Sequence, residues 1–258
     1  MTADLAETLV EMRGVSRSFG HIDALQKLDL TLYVGEVLAL LGDNGAGKST
    51  LIKILTGVYP PTDGEIRFKG QRIQLRGPQE ARDLGIETVY QDLALIPRMS
   101  IARNFYLGRE HVRKIGPFPV LDRKAMSAGA TDALREIGIH VRNPDEPVGS
   151  LSGGERQSIA IGRAVYFGSQ VLILDEPTSA LSIGETRKVL GYISAAREKG
   201  LSVIFITHNI SHVFEVADRI TILSHGMKVG DFGLGDVTPE EVAQMVMGQC
   251  IGMNSQES

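Results

Sequence analysis

Cysteine and tryptophan are nearly missing from this sequence: Cys250 is the single thiol, and none of the 258 residues is a tryptophan. One thiol excludes a disulfide framework and a thiolate metal site, and such sparing use fits a reducing compartment. A strong charge of one sign is also lacking. The formal net charge of −4 leaves no electrostatic footprint for nucleic acid, so no nucleic-acid partner is expected. Apolar runs such as Val37–Leu41 and Val171–Leu174 fall far short of a bilayer span. The stretch from Met1 to Arg13 mixes acids among its apolar residues and has no basic region ahead of an apolar core, so no secretory signal is expected. Work at a membrane would therefore require other subunits. No internal repeat or low-complexity tract stands out. What remains is an ordinary globular composition, 43% hydrophobic and 22% charged. The length suits one large domain or a core with an attached subdomain.

What is present centres on Gly42-Asp43-Asn44-Gly45-Ala46-Gly47-Lys48-Ser49. The apolar run Val37–Leu41 precedes it and a helical pattern from Thr50 to Leu55 follows. This is the strand, G-x-x-x-x-G-K-S loop and helix of a phosphate-binding P-loop. Glycines let the backbone curl so that successive N–H groups face an anion, and the helix N-terminus adds positive potential. Lys48 reaches the outer phosphates, and Ser49 offers a hydroxyl to a magnesium ion. A nucleoside triphosphate is the expected ligand, held by Gly42 to Ser49 and the adjoining Thr50.

Around this motif, strands and helices alternate. Leu9 to Tyr33 reads as short strands, with Leu28, Leu30 and Leu32 alternating against polar neighbours. Gly57 should end the P-loop helix. Gly64–Phe68 and Gln71–Ile73 flank Lys69-Gly70 as a hairpin, and Pro78 opens a brief helix that Gly85 closes. Ile86–Tyr90 reads as a strand. Residues 92–150 contain helical stretches, notably Asp122 to Ile137, broken at Gly116-Pro117-Phe118-Pro119, without a strong strand signal. Beyond them Val171–Leu174 and Ser202–Ile206 read as strands, and Ser182–Lys199 and Ile210–Ala217 as helices. Arg219–Leu223 and Met227–Val229 flank Ser224-His225-Gly226 as a hairpin. Thr238-Pro239-Glu240-Glu241 starts a last helix with a capping box, and the tail after Gly248 is expected to be poorly ordered. The predicted class is α/β, a mostly parallel, doubly wound sheet with an N-terminal antiparallel β subdomain and an inserted helical subdomain. The expected division is a nucleotide-binding core over 9–91 and 151–230, the helical subdomain over 92–150, and a C-terminal helix and tail over 231–258.

Two further stretches carry chemistry. Val171–Glu176 is an apolar strand ending in two carboxylates. Lying beside the P-loop strand, it would bring Asp175 to the metal and let Glu176 act as base on a water in line with the γ-phosphate. Alone it reads equally well as a buried strand with an acidic turn; the P-loop in the same chain favours the functional reading. Leu151-Ser152-Gly153-Gly154-Glu155 contains an S-x-x-E capping box. Glycines at the first two helical positions cost about 1 kcal/mol each against alanine, which points to bare backbone N–H groups open to a second phosphate.

P-loop, Leu151–Glu155 and Val171–Glu176, in this order and spacing, resemble the ATP-binding cassette of ABC transporters over about residues 9–230. The resemblance implies a P-loop NTPase core of the RecA-like type, with ATP and Mg2+ as ligands. It implies that Gln91 meets the metal and the attacking water, that His208 senses the γ-phosphate, and that Phe19 stacks on adenine. Catalysis would then fall to Lys48, Glu176 and His208, and the metal to Ser49, Gln91 and Asp175. The signature Leu151–Glu155 would act in trans, on ATP held by a second cassette, most simply in a homodimer. Implied partners are multi-span permease subunits, reached through residues 92–110 at the cytoplasmic face of the membrane, and indirectly a periplasmic or extracellular substrate-binding protein. Ser182 departs from the family, which usually has Asp there, but with Glu185 it forms another capping box that preserves the helix start. Gly85–Leu95, Met99–Asn104 and Leu107–Glu110 resemble the carbohydrate-importer branch, ribose-, xylose- and fructose-type, where two cassettes are often fused. The implied function is an ATP-hydrolysing subunit powering monosaccharide import; the alternative is a soluble ABC-type ATPase with no transport role.

Overall fold

Two 12-residue strands, β1 (Thr8–Phe19) and β2 (Ile22–Tyr33), pair antiparallel about the Gly20-His21 turn. They belong to a computed structural model that describes residues 7–248; Cys250 and the tail after Gly248 lie outside the described residues. Register irregularities along β1, as between Met12 and Val15, break the alternation, which is why this pair reads as several short strands in the sequence. Leu28, Leu30 and Leu32 do turn one buried face inward. Next come β3 (Val37–Gly42) and α1 (Lys48–Leu55). At the end of α1, Gly57 takes a left-handed φ of 72°, its N–H donates to Ile54 O, and Val58 N–H donates to Lys53 O at 2.8 Å. β4 (Asp63–Phe68) and β5 (Gln71–Ile73) turn through left-handed Lys69 and Gly70. With β4 paired to β1, the first sheet runs β2-β1-β4-β5, all antiparallel. α2 (Pro78–Asp83) and β6 (Ile86–Val89) complete this half.

Past Gln91 the chain leaves the core through α3 (Ile101–Phe105). Buried Asn104 accepts from Ile96 N–H and donates to the carbonyls of Ile96, Met99 and Ser100, fixing the segment that follows Gln91. A hairpin then departs from the helical expectation for this region: β7 (Val112–Ile115) pairs with β8 (Phe118–Leu121) about Gly116. All of β7 is exposed and Phe118 is 70% exposed, so no buried face imprints a period of two on the sequence. α4 (Arg123–Glu136) starts as its sequence indicates, with Asp122 accepting from Ala125 N–H.

The remaining elements are α5 (Gly153–Tyr166), β9 (Val171–Asp175), α6 (Ile183–Glu198), β10 (Ser202–Ile206), α7 (Ile210–Val216), β11 (Arg219–Ser224), β12 (Met227–Gly233) and α8 (Pro239–Val246). The second sheet runs β12-β11-β3-β10-β9-β6, parallel except for β12 at its edge. One expectation is corrected here: β9 does not lie beside the P-loop strand β3. β10 stands between them, pairing Ile206 with Leu40 on one side and Asp175 on the other. Two strand spacings, about 10 Å, therefore separate the two chemical strands, but the shared register opens both carboxyl ends on one edge.

Both faces of this sheet are covered, which accounts for its continuous apolar runs. Leu38, Leu40, Ile173, Ile204 and Ile206 pack beneath the antiparallel sheet and α1. Ala39, Leu41, Leu172, Leu174, Val203 and Phe205 face the other way, against α5, α6 and α7. A third cluster joins Phe105, Tyr106, Met126, Ala130 and Leu134 to Leu151 and Ile159. Because α5 also sends Ala160, Ile161 and Ala164 under the sheet, it ties the inserted region to the core. Among the described residues no helix is long and apolar enough to cross a membrane.

Candidate functional site

The loop between β3 and α1 is shaped by space and by backbone angle. Gly42, Gly45 and Gly47 have φ of 148°, 82° and 103°. A Cβ on Gly42 would stand 2.4 Å from Leu223 O, and one on Gly47 would stand 2.8 Å from the Leu25 side chain and 2.9 Å from Ala24 O. No side chain caps α1, so its first turn offers N–H groups to the cleft in front of it. Lys48 Nζ folds back onto the carbonyls of Gly42 (2.6 Å) and Asp43 (3.0 Å). Burial pulls the Lys48 pKa down, while Glu176, Asp175 and Asp43 oppose that shift.

The cleft encloses about 590 Å³ and is lined by Asn44 to Thr50, Gln91, Asp175 and Glu176. Gly42 and Asp43 support it from behind, Asp43 by accepting from Asn44 N–H at 2.7 Å. Ile22, Asp23, Gln26 and His225 also line it, and the sequence singled out none of these. His225 sits in the turn between β11 and β12, where Gly226 N–H donates to Ala46 O and so braces the loop. A hairpin turn 180 residues along the chain carries no local signal of that neighbour.

Asp175 ends β9 partly buried; burial and then the Glu176 carboxylate raise its pKa against the pull of Lys48 and Lys53. Glu176 takes a left-handed φ of 49° with its N–H on Ile206 O at 2.9 Å, a strained conformation of the kind stored at functional sites. His208 Nδ1 stands 2.9 Å from the buried Oε2 of Glu176, within ion-pair distance but without hydrogen-bond geometry. His212, also unmarked by any motif in the sequence, lies between Thr178 Oγ1 (3.1 Å) and Asn209 Nδ2 (3.2 Å) and spans the loops after β9 and β10. Burial lowers its pKa. The groups that could hold magnesium, the Ser49 hydroxyl, the Gln91 amide and the Asp175 carboxylate, are all hard oxygen donors, which suits that ion. Among the described residues no cluster of three His, Cys, Asp or Glu could form an all-protein cage, so water and phosphate oxygens would have to complete the shell.

Phe19 does not line this cleft, although Ile22, its partner in the register, does. The ring is 39% exposed and is held by Tyr59, 5.2 Å away edge-on, and by the Arg17 guanidinium at 4.8 Å. The Leu151–Glu155 stretch is elsewhere altogether. Ser152 caps α5 and exchanges both bonds with Glu155. Leu151, Ser152, Gly154 and Glu155 line a different cavity, of about 560 Å³. The expectation of bare N–H groups is corrected for Gly154, whose N–H donates to Glu185 Oε1 at 3.1 Å. Glu185 reaches it because Ser182 and Glu185 do form a capping box, so the helix start survives the Asp-to-Ser departure.

Comparison with known proteins follows the same lines. A model of the family described as ABC transporter matches residues 25–179. The chain is 47% identical to the fructose import ATP-binding protein FrcA of Rhizobium meliloti, over 94% of this chain and 95% of that protein. It is 43% identical to the xylose/arabinose import ATP-binding protein XylG of Sulfolobus acidocaldarius, over 95% and 96%. Against the ribose import ATP-binding protein RbsA of Caldanaerobacter subterraneus subsp. tengcongensis it is 40% identical but spans only 48% of that protein's length. Among solved structures, a dimeric post-hydrolysis ATP-binding cassette bound to ADP and Pi superposes with a TM-score of 0.71 at 25% identity, over 88% of this chain and 99% of that one.

Proposed function

Because this chain belongs to the ABC transporter family of ATP-binding proteins, we propose that it is the ATP-hydrolysing subunit of a monosaccharide importer, driving transport by closing against a second copy of itself. The sugar class is inferred from relatives named for fructose, xylose/arabinose and ribose import. Those names also weigh against a non-transport ATPase. Lys48 and the N–H groups opening α1 hold the phosphate charge, with Phe19 under the adenine. Magnesium, held by Ser49, Gln91 and Asp175, supplies charge neutralisation at the outer phosphates. Glu176 takes a proton from the attacking water; apart from the His208 ring, its buried Oε2 meets no donor among the described residues, which suits a base that is aimed rather than satisfied. His208, beside that oxygen, monitors the γ-phosphate. We assign 9–91 and 151–230 to the nucleotide-binding core and 92–150, hairpin included, to the region that passes motion to permease subunits at the cytoplasmic face of the membrane. A substrate-binding protein on the other side would deliver the sugar.

One observation carries the sandwich. Leu151, Ser152, Gly154 and Glu155 line a cavity separate from the P-loop cleft, which supports a signature that meets a γ-phosphate on another cassette rather than on its own chain. The test is Glu176→Gln, which keeps the size of the side chain but removes the base, a loss of about 10²–10⁴-fold in hydrolysis. Its binding residues are untouched, so the variant should load Mg-ATP, fail to discharge it and accumulate as a closed dimer on size-exclusion chromatography. A variant that stays monomeric in ATP while turning over at the wild-type rate would sink both the base and the sandwich.

A further inference from the structure

Two capping boxes meet across the chain. Glu185 Oε2 closes its own, accepting from Ser182 N–H at 3.1 Å and from Ser182 Oγ at 2.8 Å. Oε1 reaches over to α5 and takes the Gly154 N–H. With the Ser152 hydroxyl also nearby, these donors hold the Glu185 carboxyl down to about 2. The fit is close: a Cβ on Gly154 would stand 2.7 Å from both Cβ and Cγ of Glu185, and one on Gly153 would stand 3.1 Å from Leu181 Cδ2. The Gly154 N–H therefore already has an occupant within the separate chain, before any nucleotide arrives.

Resting on the sandwich reading above, we propose that Glu185 is a resident anion of the signature helix, which competes with the partner-bound γ-phosphate for the Gly154 N–H and swings off α5 when the dimer closes. One N–H aimed at one oxygen cannot serve two anions, and a phosphate brought to it would face the carboxylate at a few ångströms, where like charges repel. In the separate cassette the same carboxylate satisfies a helix end that would otherwise keep an unpaired donor. Its bonds to Ser182 run through Oε2, so leaving Gly154 does not dismantle the start of α6. Glu185 thus sets how much ATP is needed for closure.

The experiment uses the full chain carrying Glu176→Gln, titrated with Mg-ATP and followed by size-exclusion chromatography with light scattering, alone and with Glu185→Gln or Glu185→Ala added. Gln keeps the size and most of the cap while removing the charge; Ala removes every contact. Both should reach half-dimer at about tenfold lower ATP, the scale of one hydrogen bond to a charged acceptor. Added salt should help the Glu185 chain more than either variant, by screening the carboxylate from the phosphate. An unchanged or higher ATP requirement in both variants would make Glu185 a dock rather than a competitor and overturn the inference. If none of the three chains dimerises in ATP, the sandwich itself falls and takes this inference with it, a result distinct from dimers that form at an unshifted ATP concentration.

Discussion

Two helices in this chain begin at a glycine-rich turn, and their N-termini are finished in opposite ways. α1 has Gly47 at its N-cap, in a left-handed conformation, and no side chain accepts from its first turn. α5 has Ser152 at its N-cap, a reciprocal bond with Glu155, and the carboxylate of Glu185 on Gly154 N–H. Omitting a cap destabilises a helix by about 1 kcal/mol, so α1 is left short of acceptors in a cleft whose walls hold Lys48, Asp175 and Glu176. The first end is built for an anion from outside; the second already has one and can take another only by exchange. This difference suits a protein whose nucleotide binds first to one surface and is closed over by the other.

The change expected to hurt most attacks the uncapped end. Lys48→Ala removes the ammonium that folds over the loop and should lower hydrolysis by about 10³-fold or more, with weakened triphosphate binding. Turnover and nucleotide-binding assays check this, and near-normal turnover would take the P-loop out of the site. A paired substitution then sharpens the contrast. Gly47→Ala would place a Cβ on a φ of 103°, 2.9 Å from the Ala24 carbonyl. About 2 kcal/mol of stability should go, and with it several degrees of Tm. Gly153→Ala sits in regular helix and meets only the flexible end of Leu181. It should stay within about 1 kcal/mol of the parent. Equal losses in thermal melts would erase the distinction between a rigid cradle and an adaptable one.

The smallest effect concerns pH. The Glu185 pKa is depressed from 4.5 to about 2 in the folded chain. Its stabilising contribution is therefore complete above the ordinary value and fades as pH falls from there toward 2. Urea midpoints of wild type and Glu185→Gln should differ at neutral pH, with the variant lower, and draw together as pH drops below about 4. A gap that stays constant across that range would mean that the carboxylate charge contributes nothing to the α5 end.

The cap residues, the P-loop and the strand runs are legible in the amino-acid sequence itself. Ser152 with Glu155, Ser182 with Glu185 and Thr238 with Glu241 all form the boxes their spacing announces. A serine or threonine and a glutamate three residues apart at a helix start meet through helix geometry alone. The same holds for Lys69-Gly70 in its hairpin and for Gly57 at the end of α1, where a left-handed residue has only a few neighbours to satisfy. The β7–β8 hairpin is not legible in this way, because its pairing buries nothing and no periodic face is written into the sequence.

Tertiary structure decided the contacts between residues far apart along the chain. That β10 separates the P-loop strand from the strand of Asp175 is a matter of sheet order, which no local pattern encodes. That His225 lines the cleft, and that His212 bridges Thr178 and Asn209, follows from where those loops end once the sheet is stacked. Glu185 shows the boundary most clearly. Its bond to Ser182, three residues away, was fixed by the sequence through the rise of a helix, whereas its bond to Gly154, 31 residues away, exists because α5 and α6 pack side by side over the same face of the sheet and bring one helix's carboxylate to the other's open N–H.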